Sequence, residues 1–596
     1  MKQKFTRLII GLLCCFCGGA QYVIKDGTEL LSLQKVPMEK AYLDHTGPLL
    51  FAGEYLYYAF YGFNAQNNNP TNVSSMGYVV LVNEAKEKVV EHKLKLNKGL
   101  AQGEFFVGTA IPSGKYKLLA YTQWMKNSGL EQVFKDDIVI INPYLADQSA
   151  LLPQTEDVPN KGPSEEAGRL AAMALDSATV SFRLDGSIYA PREKVNLTIN
   201  NFKGRLGMGT YTLKVRRKEV LPVRAFTNAT EYARAYFNAD KELRQGVGDS
   251  VFLPEQRGEL FFGSVQDPAT NDPIVDEPVI ISIPGKEFLL KFAQTDQEGN
   301  FYTYFRKAYK NPMAVVQLED DTQTYILKKG VGKDLDLLEL EFSDFALSST
   351  YADYIKERSV QNQLENQFYS KKPDSVLQGN PIDPFDGGLP EVLYLDDYTR
   401  FPTFGETLVE IVKFAGYRSG GKNPDYVKIS QDFETYNEEY NDFPAIVLVD
   451  GVFIPNHENI KNFDARKIER IRLIRDQFIL GGKQYQGMMS IETFDWDFVQ
   501  NLKAENALKT QVDLPVVKKN YFKQVYATDH SPFKRTPDYR RLLLWEPHVK
   551  VEGSSYTYDF FTSDVEGVFE VVLNGFTSYG KPITVIKEFT VTKMGQ

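Results

Sequence analysis

Cysteine is confined to the start of the chain: Cys14, Cys15 and Cys17 are the only three among 596 residues. Beyond them no disulfide, thiolate nucleophile or cysteine–metal site can be built. Histidine is scarce too, with five in all: His45, His92, His457, His530 and His548. No two stand three or four residues apart, the spacing that puts a metal-binding pair on one helix face, and HExxH is absent. There is no G-x-S-x-G nucleophile turn and no G-x-x-x-x-G-K-[ST] phosphate loop. Gly481-Gly482-Lys483 is followed by Gln484, which offers no hydroxyl to Mg²⁺. After residue 20 no stretch supplies the ~20 apolar residues of a membrane helix. Catalytic residues, metal ligands and cofactors are therefore expected to be none.

What the chain does contain is aromatic. Tyr (34) and Phe (40) carry most of a 13% aromatic share, and such residues favour strands. The N-terminus has a basic start (Lys2, Lys4, Arg7), an apolar run from Leu8 to Cys17, and small residues Gly18-Gly19-Ala20. This is the pattern of a secretory signal peptide over residues 1–20, cleaved after Ala20, and the run is too short to span a bilayer. Losing those three cations takes the formal charge from −10 to −13. An acidic surface of that size argues against nucleic acid and against broad attraction to anionic lipid.

The length suggests about four domains. Residues 21–145 read as a first β-sandwich, with Ser75 to Val82 and Tyr116 to Trp124 as strands. Residues 146–176, with Pro153, Pro159 and Pro163 among acidic residues, read as a linker. A second sandwich is expected over 177–253 and a third over 254–345, where turns such as Glu298-Gly299-Asn300 punctuate short strands. Residues 346–400 read as a helical and Pro/Gly-rich linker.

From 401 to 498 the period changes. Phe404, Leu408, Ile411, Val412 and Ala415 form a helical stripe capped by Thr403, and Ala445 to Val449 is a strand ending in the turn pair Asp450-Gly451. This predicts a small α+β domain, with a C-terminal β block over 499–596. The fold class is mainly β: tandem sandwiches, then α+β, then β. Paired acids such as Asp396-Asp397 and Asp495 with Asp497 are unremarkable in a chain with 78 acidic residues. Asp296, Glu298 and Asn300 read as a β-turn before a calcium site.

Three resemblances add to this. Lys40 to Pro48 followed by Ala52-Gly53-Glu54, with Gly114-Lys115-Tyr116 and Ala120-Tyr121-Thr122, resembles the second domain of bacterial alpha-2-macroglobulins, and Ile188 to Val195 repeats its grammar. That family traps proteases through a Cys-Gln thioester, which a chain without cysteine beyond residue 17 cannot form. Pro254-Glu255, Gly258 to Gly263, Thr295-Asp296 and Gly299-Asn300-Phe301 look like a carboxypeptidase regulatory-like domain, a sandwich without catalytic residues. Pro444 to Val452, Ile468 to Ile474, Gly481 and Gly487 to Thr493 resemble the plug domain of TonB-dependent receptors. A barrel of about 22 strands, each ~9–11 residues long, cannot be built from the 98 residues after Phe498, so a transporter is excluded. With Asp396 to Thr403 between the last two, the order looks like a family of uncharacterised envelope proteins.

The resemblances imply an exported, non-catalytic binding or scaffold protein of a Gram-negative envelope. It would be periplasmic, outer-membrane-associated or at the cell surface. Its partner would be an outer-membrane or periplasmic protein, contacted near Asp450, Gly451, Phe453 and Arg475. The alternative is an extracellular carbohydrate-binding protein or hydrolase, since Tyr- and Phe-rich strands can stack sugars.

Overall fold

The computed structural model describes residues 22–152, 179–238, 242–319, 323–377, 379, 382–421, 424–431, 443–502, 507–526 and 535–593. The expected signal peptide, most of the 146–176 linker and His530 lie outside these residues. The chain is mainly β, and its sandwiches follow one another along the sequence with one long-range exception.

The first sandwich packs a sheet of Glu39–His45, Tyr55–Asn64 and Leu100–Phe106 on a five-stranded sheet. The second sheet runs Leu49–Phe51, Phe134–Ile141, Gly114–Tyr121, Met76–Asn83, Lys88–Lys95. Strand Glu39–His45 is buried at every position although four of its seven side chains are ionisable. A strand of an isolated sandwich would show one face to water. Here the outer face is covered by a second sandwich and by the helix Ala229–Tyr236, whose Tyr232 joins the same aromatic core as Tyr42, Phe63, Phe134 and Phe576.

That second sandwich corrects the expected boundaries. Its strands come from two stretches more than three hundred residues apart. Lys194–Asn201 pairs with Val180–Leu184 on one side and Ser555–Phe561 on the other. Gly209–Arg217 lies between Leu542–Val551 and Gly567–Thr577, with Thr212 opposite Asn574. The strands of 177–253 therefore do not close a sandwich alone, and those of 542–591 are not a separate block. The reason is packing: Val195, Leu197, Ile199, Leu213 and Val215 find their core partners in Phe560, Phe569, Val571, Leu573 and Phe589.

Everything between is inserted into this sandwich. The third sandwich joins the sheet Asn300–Phe305, Glu259–Gln266, Ile326–Lys329 to the sheet Leu289–Gln294, Pro278–Ile283, Met313–Leu318. Its last edge strand, Ala507–Gln511, arrives from the stretch assigned by sequence to the C-terminal block. A mixed sheet follows in the order Glu391–Tyr394, Ile468–Leu480, Lys483–Thr493, Ile446–Val449, Val452–Phe453, with one parallel pair between Ile446–Val449 and Lys483–Thr493. Thr403 caps the helix Phe404–Glu410 through Glu406 N–H at 3.2 Å. The helix is shorter than its stripe suggested, because Ala415–Arg418 leaves it to pair with Tyr426–Ile429.

The region 346–400 is no linker. Its helix Ala352–Gln367 is a strut between the first two sandwiches. Arg358 makes a two-pronged contact to Glu54 (2.8 and 2.9 Å) and a third bond to Glu219 (2.8 Å). Asn362 and Asn366 donate to the carbonyls of Ala52 and Gly53, both at 2.8 Å. A side chain on Gly53 would strike those two asparagines, and its φ of +95° favours glycine.

The seam between the sandwiches is polar. Lys214, fully buried, donates to Asp44 at 2.5 Å and to the carbonyl of His45 at 2.6 Å, with Phe226 3.9 Å beneath its ammonium. Burial pulls the Lys214 ammonium below the usual lysine range, and Asp44 opposes the shift. Asp44 Oδ2 has no hydrogen-bond partner among the described residues. Removing one member of such a pair strands the other charge, which costs ~3–5 kcal/mol, whereas replacing both with apolar groups is often neutral. Lys214→Met is expected to lose about that much, and Lys214→Met with Asp44→Leu to recover most of it, in urea unfolding followed by tryptophan emission.

Candidate functional site

Of the four residues singled out by sequence, Asp450, Gly451 and Phe453 are buried and Arg475 is half-buried. Asp450 has φ +51° and Gly451 +84°, the left-handed pair a two-residue hairpin turn needs. The Asp450 carboxylate accepts from Thr493 N–H (2.8 Å), Thr493 Oγ1 (2.7 Å) and Phe498 N–H (3.3 Å). Its carbonyl accepts from Gly285 N–H at 2.9 Å. Gly451 abuts Phe288, and Phe453 is buried with Ile280 and Phe288 while its N–H donates to Ser282 Oγ at 3.1 Å. This turn is thus the joint between mixed sheet and third sandwich, and the chain itself occupies it. Arg475 stacks 3.9 Å over Phe414 and donates to the carbonyls of Ser430 (3.0 Å) and Gln431 (2.6 Å). It fastens the sheet to a neighbouring loop.

The surface the sequence reading passed over is the opposite margin of the mixed sheet. Among the described residues, strand Glu391–Tyr394 pairs on one side only, with Ile468–Leu480. Leu393 turns towards the core, while Val392 and Tyr394 are 43% and 46% exposed, and Leu389 just before them is 90% exposed. An outer strand with free amides and apolar side chains is a template for another strand. The sheet behind it is braced: Arg470 and Arg472 both pair with Glu492 (2.6 and 2.7 Å), and the Arg470 guanidinium lies 5.8 Å from the Tyr394 ring. The sequence signal was the run Val392-Leu393-Tyr394, obscured by its Pro/Gly-rich surroundings.

His45, His457 and His548 serve internal contacts. His457 Nδ1 accepts from Val427 N–H at 2.8 Å, and burial pushes its pKa down to about 4. Burial does the same to His548, also to about 4. His45 bridges Asp136 (2.9 Å) and the carbonyl of Gly47 (3.2 Å). Among the described residues no three His, Cys, Asp or Glu side chains converge as a metal site. Asp296 Oδ1 accepts from the N–H groups of Glu298 (3.0 Å) and Asn300 (2.9 Å), closing a turn on itself.

A cleft of about 580 Å³ opens between the N-terminal segment, the first sandwich and the third. Tyr22, Tyr78, Phe262 and Tyr302 line it, with Glu255 in its wall. The Glu255 carboxyl accepts from Tyr78 Oη (3.0 Å) and Leu260 N–H (3.0 Å), and burial raises its pKa to about 7.

No family model and no curated protein matches the chain. Among solved structures, it is similar to Salmonella alpha-2-macroglobulin reacted with methylamine, at 8% identity over 96% of this chain and 41% of that one, TM-score 0.22. The native conformation of E. coli alpha-2-macroglobulin gives 9% over 96% and 41%, TM-score 0.23. The Yersinia pseudotuberculosis adhesin InvE gives 10% over 49% and 59%, TM-score 0.12. The chain spans about two fifths of the length of the macroglobulin chains it matches. The sandwich architecture rests on the sheets and registers described above.

Glu255 yields a pH test. A carboxyl raised on folding contributes most below its unfolded value of 4.5, and that contribution is lost as pH rises through about 7. Glu255→Gln keeps an acceptor without the charge. Its urea midpoint should exceed that of the wild type at pH 8.5 by the equivalent of ~1–3 kcal/mol, with the gap closing to under ~1 kcal/mol at pH 5.

Proposed function

We propose that the chain is an exported, non-catalytic binding or scaffold protein of a Gram-negative envelope. Its outer strand Glu391–Tyr394 takes an extended segment of an outer-membrane or periplasmic protein as an added strand. The free apolar margin of the mixed sheet carries this reading. Main-chain bonds along the strand would supply affinity, and the outward side chains Val392 and Tyr394 selectivity.

Several features support it. The mixed unit is held to the third sandwich by the Asp450–Phe453 turn and by the strand Ala507–Gln511, which follows the mixed sheet in sequence and pairs with Met313–Leu318. A docking strand on such a frame is presented in one orientation. No helix among the described residues is long and apolar enough to cross a membrane. The signal-peptide pattern at residues 1–20 and the plug-like and regulatory-like motifs favour export to the envelope.

The test is affinity purification of the mature chain from solubilised outer membranes. It compares the wild type with Val392→Lys/Tyr394→Lys. Lysine on an outer strand blocks strand addition while leaving the fold within ~0.5 kcal/mol, because both side chains face solvent. A stoichiometric partner held by the wild type and lost with the variant is the expected result. A partner retained equally by both moves the contact elsewhere, and recovery of the bait alone removes the docking function.

A further inference from the structure

A second cavity, of about 890 Å³, lies where four distant segments meet. Its walls are the turn around Asn97 and Lys98 in the first sandwich, the stretch Pro373 to Leu377, the returning stretch Val516 to Lys523, and strand Leu542–Val551 of the second sandwich. Strands Ser375–Val376 and Lys519–Asn520 pair across it. In a chain of formal charge −10, this cavity is lined by six lysines and one carboxylate, Glu546.

Two of the lysines are neutralised. Lys519 faces Glu104 and, at 3.8 Å, Asp374, while Lys523 pairs with Glu546. Lys95, Lys98, Lys518 and Lys550 have no carboxylate partner among the described residues. Collecting like charges around one hollow raises their mutual repulsion unless an anion enters. A second observation points the same way. Trp545, 5% exposed, stands in the wall between this cavity and a neighbouring cleft, and its indole N–H has no acceptor among the described residues. A buried donor without a partner costs ~1–3 kcal/mol, and an oxygen-rich ligand beside it would relieve that cost.

The cations of the lining are all lysines, with no arginine among them. Ammonium groups bind phosphoryl oxygens as point charges, and several of them around one hollow favour a ligand of more than one negative charge. The volume is that of a small-molecule site. We propose that this cavity, lined by the exposed lysines Lys95, Lys98, Lys518 and Lys550 and by Trp545, binds a ligand carrying at least two phosphoryl groups. The phosphoryl groups belong either to a free phosphorylated small molecule or to a lipid headgroup.

The test uses the full mature chain, with inorganic pyrophosphate in calorimetry and phosphatidylcholine vesicles containing phosphatidylinositol bisphosphate in flotation. Lys98→Gln/Lys518→Gln is compared with Lys203→Gln/Lys587→Gln, two exposed lysines outside this cavity. Thermal melts by circular dichroism establish that both variants fold. The expected result is wild-type binding that weakens as salt rises, at least tenfold weaker in the cavity variant and unchanged in the control. Binding of pyrophosphate identifies a free ligand, and binding of the vesicles alone identifies a headgroup. Failure of the wild type to bind either probe overturns the proposal. So does equal binding by the cavity variant, or equal loss in the control.

Discussion

The contact on which the rest of the molecule depends is the buried ion pair between Lys214 and Asp44. It stands where the outer face of the first sandwich meets Gly209–Arg217, an inner strand of the second. Around it the same seam carries Tyr61 Oη to Thr212 Oγ1 at 2.7 Å, and Asn574 bonded to Tyr42 Oη at 2.5 Å and to Ala229 N–H at 2.9 Å. Asp136, bonded to His45, also accepts from Thr227 N–H at 2.7 Å. A polar seam of this kind tolerates one arrangement well and slipped ones badly, since each slip strands a charge or a donor. The aromatic cluster of Tyr42, Tyr232, Phe63 and Phe576 adds apolar burial without that directionality.

The seam matters because of the path of the chain. The second sandwich starts at residue 180, is interrupted after Arg217, and is completed only from residue 542 onward. The third sandwich and the mixed sheet are carried as an insertion whose two ends both leave from the second sandwich. A single flexible linker would let such modules swing. Two attachment points, the strut Ala352–Gln367 and contacts from the first sandwich to the third, such as Lys93 to Glu259 at 2.6 Å and Tyr78 Oη to Glu255 at 3.0 Å, instead make the inserted part an extension of the frame. The outer strand Glu391–Tyr394 and the lysine-lined cavity owe their positions to this closure, the cavity directly, since strand Leu542–Val551 forms one of its walls.

Much of the local structure was legible in the sequence. The Thr403 cap, the Asp450-Gly451 turn, the Glu298-Gly299-Asn300 turn and strands such as Pro278–Ile283 follow from local chemistry, and each occurs where expected. Pairing was not legible. A strand's alternation fixes its period and its inward face but carries no label for its partner. Thus 180–217 and 542–591 each read as a separate unit. Nothing local in Glu39, Lys40, Asp44 and His45 announces the layers that bury them on both faces of their strand. Asp450, Gly451 and Phe453 were singled out as a contact site through the plug-like resemblance, and the turn chemistry of Asp450-Gly451 serves an internal joint. The cavity lysines are scattered between residues 95 and 550, and no sequence motif gathers them.

The central claim, that two remote stretches build one sandwich, can be measured through a disulfide. The chain from Gln21 onward has no cysteine, so an introduced pair is the sole source of thiols. Thr198 and Thr557 are register partners on strands Lys194–Asn201 and Ser555–Phe561 and neither is buried. With Thr198→Cys and Thr557→Cys, mild oxidation should consume both thiols within one chain, and mass spectrometry of a digest should recover the two segments as one cross-linked peptide. Free thiols that persist in the folded protein, or cross-links found only between chains, would contradict the account.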